Sequence, residues 1–202
     1  DKAAAQVDLV ALTNVVATDF SAAQTIIIGN DTGDRGVWGD SAIVNKLAGA
    51  GKPIVGIGEG GYAFFGTAGL GLDIGYGHGA LHISDAQAHI NYPGQTILAA
   101  INVPHDRLLT LYTSGVNAVA PSVGGAPAGT PIAYASKDFF GSRYDALMPL
   151  TAQYASNRCH ALWGFTGAPS LMTAAGQDLF VQFVLGQPCP AFTLASSYMA
   201  VA

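Results

Sequence analysis

Between Pro53 and Phe65 a strand, a turn and a helix follow one another with no linker. Pro53-Ile-Val-Gly-Ile57 is a short apolar run, Gly58-Glu59-Gly60-Gly61 is a turn, and the apolar cluster Tyr62, Ala63, Phe64 and Phe65 begins at once. Glycines at such a reversal supply backbone conformations that other residues reach only under strain. An earlier segment has the same form. Thr25-Ile-Ile-Ile-Gly29 is a continuous β-branched run closed by a polar, Gly-rich turn, which is how a strand buried on both faces ends, and a parallel sheet follows from it. Between the two runs Asp40 or Ser41 caps a helix whose Ile43, Val44 and Leu47 share one face, and Gly51 followed by Pro53 ends it. Residues 25–65 therefore predict a βαβ unit with an elbow at the top of its second strand.

A chain of 202 residues, half of them apolar, can bury a substantial core around this unit. Its surface is unusual: Asp, Glu, Lys and Arg make up only 10% of the residues, against a typical ~25%, so Ser, Thr, Asn, Gln, Gly and Ala must cover it. The 8 Lys and Arg are unclustered and the net charge is -5, which leaves no electrostatic footprint for nucleic acid. The apolar runs are strand-sized and far short of the ~20 residues of a membrane helix, so membrane insertion is not expected either. Cys159 and Cys189 have no metal spacing and read as one disulfide formed in an oxidising compartment, with two reduced core cysteines as the alternative. The expected location is accordingly secreted or cell-surface. Asn30-Asp31-Thr32 is the chain's one N-glycosylation sequon, which makes Asn30 a modification candidate.

Further along, Thr96 to Val103 and Leu108 to Tyr112 are expected strands and Gly124 to Gly129 a turn region. Ala161-Leu-Trp-Gly-Phe165 is an expected strand, Thr173 an N-cap, and Leu179, Phe180, Phe183 and Val184 the buried stripe of a helix closed by Gly186 and Pro188. One α/β domain then occupies residues 1–187. Residues 188–202 form a C-terminal apolar strand or arm, whose stretch from Ala191 to Ala202 carries no charge.

The order strand, Gly-rich turn, helix, strand, elbow and aromatic helix resembles the class I glutamine amidotransferase-like fold, where a Gly-x-Cys-x-Gly elbow carries the nucleophile. Gly56-Ile57-Gly58-Glu59-Gly60 lies on that pattern, and Ala161 to Val184 resembles the family's closing stretch with its catalytic His-Pro-Glu. The resemblance implies a flavodoxin-like architecture of three layers, with a mostly parallel sheet and helices on both faces. It also implies that the chemistry is lost. Gly58 stands at the nucleophile position and has no side chain to attack a carbonyl, while Phe165 and Gly167 fall near the family's His and Glu.

A ligand site remains conceivable where the two strands end side by side, because open α/β sheets bind ligands beyond the carboxyl ends of their strands. Asp31, Thr32, Asp34, Trp38 and Glu59 are the candidates there, Trp38 either lining a sugar or peptide pocket or, as the favoured reading, packing on the sheet edge. Glu59, the chain's only glutamate, suits a structural role in which it bonds free N–H groups at the helix start; alternatively it joins Asp31 and Asp34 around a hard cation. His78, His82 and His89 are close in sequence without helical spacing and do not suggest zinc. His105 and His160 are expected as partly buried, hydrogen-bonded histidines, and Asp106-Arg107 as a solvated turn. No cofactor is expected. Three functions compete: a non-catalytic extracellular assembly module that self-associates, into an oligomer or filament, through its C-terminal strand; a carbohydrate- or small-ligand-binding domain using the pocket around Asp31, Trp38 and Glu59; and a hydrolase using Glu59 or a bound metal. Sparse charge and an unprotected strand favour the first.

Overall fold

The computed structural model describes residues 6–33, 38, 40–66, 69–72, 74–75, 80–85, 87–90, 107–121, 130–135, 150–155 and 158–185. The chain is an α/β protein. Its sequence order begins with a 3-10 turn (Leu12–Ala17), then β1 (Ile26–Ile28), α1 (Ser41–Gly49), β2 (Ile54–Ile57) and α2 (Gly58–Phe65). Strands β3 (Ala80–Asp85), β4 (Gln87–Ile90), β5 (Arg107–Thr110), β6 (Val116–Pro121), β7 (Thr130–Ala135), β8 (Leu150–Ala155) and β9 (Arg158–Trp163) follow, and a second 3-10 turn (Pro169–Leu171) leads into α3 (Ala174–Leu185).

Seven strands form one sheet in the order β1-β2-β9-β8-β7-β4-β5, and β3 and β6 form a second, two-stranded antiparallel sheet. The pairings β1–β2 and β2–β9 are parallel, with Ile28 opposite Gly56 and Gly56 opposite Leu162. The remaining neighbours, from β9 outward to β5, are antiparallel. The sheet is thus mixed, and the expected parallel arrangement holds for the end that carries the elbow. Beyond Trp163 the chain leaves the large sheet and pairs with β6: Val119 N–H donates to the Gly164 carbonyl at 3.0 Å, and Thr166 N–H to the Asn117 carbonyl at 2.8 Å. This joins the two sheets.

The local signals explain the elements around the elbow. Asp40 caps α1 by accepting the Ala42 N–H at 2.8 Å, and Gly51, at a left-handed φ of 67°, turns the chain back toward β2. At the other end, Thr173 caps α3 by accepting the Gly176 N–H at 3.0 Å. Every residue of α2 except Glu59 is buried. A helix apolar on all sides belongs inside the protein, and α2 packs against β1, β2, β9 and β6. It lies so close to β2 that a Cβ on Gly56 would come within 2.7 Å of the Gly61 Cα. Only glycine at both positions lets helix and strand backbones meet in this way.

Because side chains alternate along a strand, the large sheet sorts its core into two clusters. Ile54 and Leu162 join Ile26, Ile28, Val44, Leu47, Trp38 and the α2 aromatics. Val55, Ala161 and Trp163 join Tyr112, Phe165, Leu179 and Phe183 of the opposite cluster, beneath α3. Trp163 is its hub, with the rings of Phe180 and Phe183 edge-on at 5.1 and 5.5 Å. Burial of each of these aromatics contributes roughly 2 kcal/mol. Expected strand Thr96 to Val103, the turn Gly124 to Gly129, the helix stops Gly186 and Pro188, and the arm at 188–202 lie outside the described residues.

Candidate functional site

Parallel β1 and β2 end on the same side of the sheet, so the turn after β1 and the start of α2 lie against each other. The turn is held by Thr32, whose N–H and Oγ1 donate to the Gly29 carbonyl at 3.3 and 2.8 Å. It closes over the helix. Glu59 N–H donates to Asn30 Oδ1 at 3.0 Å, and Gly60 N–H donates to the Asn30 carbonyl at 3.2 Å. The first N–H groups of any helix lack partners within it, and the residue before α2, Ile57, has no side chain able to accept them. Asn30 performs that capping from a different segment of the chain.

Gly58, the first residue of α2, has φ of 53°, in the left-handed region. A Cβ there would collide with Asn30 Oδ1 and lie 2.9 Å from both Asn30 Cγ and the Thr166 methyl. The elbow is therefore real as backbone geometry, and its outward space is filled. In elbow sites of the hydrolase type, the N–H following the nucleophile is one of the oxyanion donors. Here that N–H belongs to Glu59, and Asn30 takes it.

The remaining candidates differ in exposure. Asp31 is exposed in the turn, Thr32 and Glu59 are half-buried, and Asp34 lies outside the described residues. Among the described residues no group of three or more His, Cys, Asp or Glu side chains is placed to hold a metal ion. Tyr62, buried one turn into α2, has its hydroxyl pKa raised by burial and further by the Glu59 charge. Trp38 lines no pocket and is packed, the favoured of its two readings: it is 1% exposed and lies edge-on to Phe64 at 4.8 Å.

Phe165 and Gly167, placed by the resemblance near a base and its carboxylate, have structural occupations. Phe165 is fully buried 5.5 Å from the Tyr112 ring, and Gly167 is the gap into which the edge of Tyr112 fits. The residue of this stretch that reaches the elbow is Thr166, between them. Its Oγ1 donates to the Asn117 carbonyl at 2.9 Å, which leaves its methyl toward Gly58. Thr166, and Asn30 as a cap, are the two contributors that the sequence did not single out; the signal available for Asn30 was a side-chain amide directly after a buried strand, a position suited to local hydrogen bonding. As a glycosylation candidate, Asn30 is half-buried with its carboxamide oxygen engaged.

Cys159 is buried and disulfide-bonded; Cys189 lies outside the described residues. His160 is more buried than expected, and at one ring nitrogen the expected hydrogen bond is missing. It is buried beside Phe65, its Nδ1 has no hydrogen-bond partner, and burial pushes its pKa down to about 4. His82 lies on β3 and His89 on β4, in different sheets. His78, His105 and Asp106 fall outside the described residues, and Arg107 opens β5. Among the described residues no helix is long and apolar enough to cross a membrane.

No family model matches this sequence, and no curated protein matches it. Among solved structures, a beta-galactosidase from Rahnella sp. R3 is similar over 86% of this chain, with a TM-score of 0.46 and 12% identity. The chain spans 24% of that enzyme's length.

Proposed function

We propose that the chain is a non-catalytic, self-associating structural module of the extracellular space, on a three-layer, flavodoxin-like core that resembles the class I glutamine amidotransferases. The observation that carries the reading is the occupied elbow. The nucleophile position is a glycine in a left-handed conformation, and the volume a nucleophile would need holds the Asn30 carboxamide. Acyl transfer requires a nucleophile with a base in hydrogen-bond reach, and Phe165, Thr166 and Gly167 supply no base.

Assembly is supported by the surface. Charge is sparse, Leu9 is 95% exposed, Val7 and Val16 are exposed on the N-terminal segment, and β1, the edge of the sheet among the described residues, exposes Ile27. Apolar surface and an open strand edge in a weakly charged protein favour contact between copies. The disulfide at Cys159 suits an oxidising compartment. The non-catalytic half of the reading is tested by incubating the protein with glutamine and simple amides. No ammonia above the blank is expected; turnover that disappears in Glu59→Gln would overturn it.

A further inference from the structure

We infer that Asn30 and Gly58 form a compensating pair, in which Asn30 supplies from the β1–α1 loop the side chain that the elbow lacks and so closes the elbow from within. The inference deepens the non-catalytic reading and rests on it for its functional meaning, although its geometry stands alone.

Three observations converge on it. The Asn30 carboxamide fills the space directly above Gly58, where any Cβ would meet Oδ1 and come within 2.9 Å of Cγ. The same oxygen accepts the Glu59 N–H at 3.0 Å, so the amide that an elbow site would turn toward a reacting carbonyl already has a carbonyl on it. The Asn30 backbone carbonyl takes the next amide, Gly60 N–H, at 3.2 Å. A Cβ on Gly60 would in turn collide with the Gly29 carbonyl and the Thr32 hydroxyl. One turn, residues 29–32, thus covers both the side-chain space and the amide donors of the elbow. Opening it would leave two N–H groups at a buried helix end without partners, which is what holds it shut.

The relationship is reciprocal: Asn30 fits only while position 58 has no side chain, and its carboxamide is the nearest obstacle to a side chain there. A double-mutant cycle reads this coupling. Gly58→Ala is compared in the native background and in Asn30→Gly. The expected result is a large loss of Tm in the native background and a clearly smaller one in Asn30→Gly, where the left-handed φ and the Thr166 methyl remain as the only obstacles. Folding of the double variant when Gly58→Ala alone fails to fold would have the same meaning. Equal losses in the two backgrounds would overturn the pairing.

Should both Gly58→Ala proteins fail to fold, amide hydrogen exchange at Glu59 decides. In Asn30→Gly it should quicken by about tenfold or more, and in Asn30→Asp, which keeps the acceptor oxygen, it should stay near the native rate. Unchanged exchange in Asn30→Gly would sink the inference. Glutamine turnover by the native protein would contradict the non-catalytic reading and leave this coupling measurable, so the two failures are distinguishable.

Discussion

The Trp163 indole N–H donates to the Tyr112 hydroxyl at 3.1 Å, between two residues that are both fully buried. Trp163 is the last residue of β9, and Tyr112 follows β5, so the bond ties the strand beside the elbow to a segment from the far side of the large sheet. Burial pushes the Tyr112 hydroxyl pKa up to about 12, and the bond from Trp163 pulls against that rise.

Tyr112→Phe should accordingly destabilise the fold. It leaves the indole N–H buried without its acceptor, a loss of about 1–3 kcal/mol, while the phenyl ring keeps its contact with Phe165. Urea unfolding followed by tryptophan fluorescence measures it. A midpoint equal to that of the native protein would mean that the bond contributes nothing.

His160 makes stability depend on pH in a defined window. Its folded-state pKa of about 4 lies below the ordinary 6.5, so the unfolded chain takes up a proton first. The contribution of the neutral imidazole is complete above pH 6.5 and is lost as the pH falls from there to about 4. A shift of this size corresponds to about 3 kcal/mol over the window. His160→Gln, which does not titrate, should flatten the stability–pH curve in that interval relative to native protein. Parallel curves for the two proteins would show that His160 is not the group responsible.

Cys159 should resist alkylation in native material, with a mass that rises by two hydrogens on reduction. If its partner is Cys189, as the sequence predicts, the closed loop of ~30 residues contributes about 3 kcal/mol through the unfolded chain in the entropic view. Reduction should lower the unfolding midpoint to match. Two freely alkylated thiols in native protein would remove both the bond and the argument for an extracellular home.

The part of the fold legible in the sequence is the part built from local signals. β1, α1, β2 and α2 were readable because β-branched runs, the Asp40 cap, the Gly51 stop and the glycine elbow each act within a few residues. β9 and α3 were readable for the same reason, through Trp163 and the Leu179–Phe183 stripe. Strands β7 and β8 were not, because Thr130–Ala135 and Leu150–Ala155 are rich in Ala and Thr and become strands by pairing with partners distant in sequence. The elbow's backbone was legible from its glycines. What occupies it was not: Asn30 is 29 residues from Glu59, and no spacing rule connects a side-chain amide to a helix start across an intervening βα crossover. For Trp38 the packed state was readable and its partner was not, since an isolated aromatic in a polar Gly-rich stretch gives no sign of the Phe64 ring that buries it.

The central claim is that this chain associates with copies of itself, and light scattering against concentration tests it most directly. The sequence of Pro190–Ala202, with Phe192, Leu194, Tyr198, Met199 and Val201, predicts a segment that pairs either with the chain's own sheet edge or with a neighbouring chain, and the proposal takes the second. The full chain should show a molar mass that climbs with concentration, and the chain lacking Pro190–Ala202 should keep the same circular dichroism and remain at the monomer mass. A full chain that stays monomeric at every concentration, or a truncated chain that assembles as before, would contradict the account.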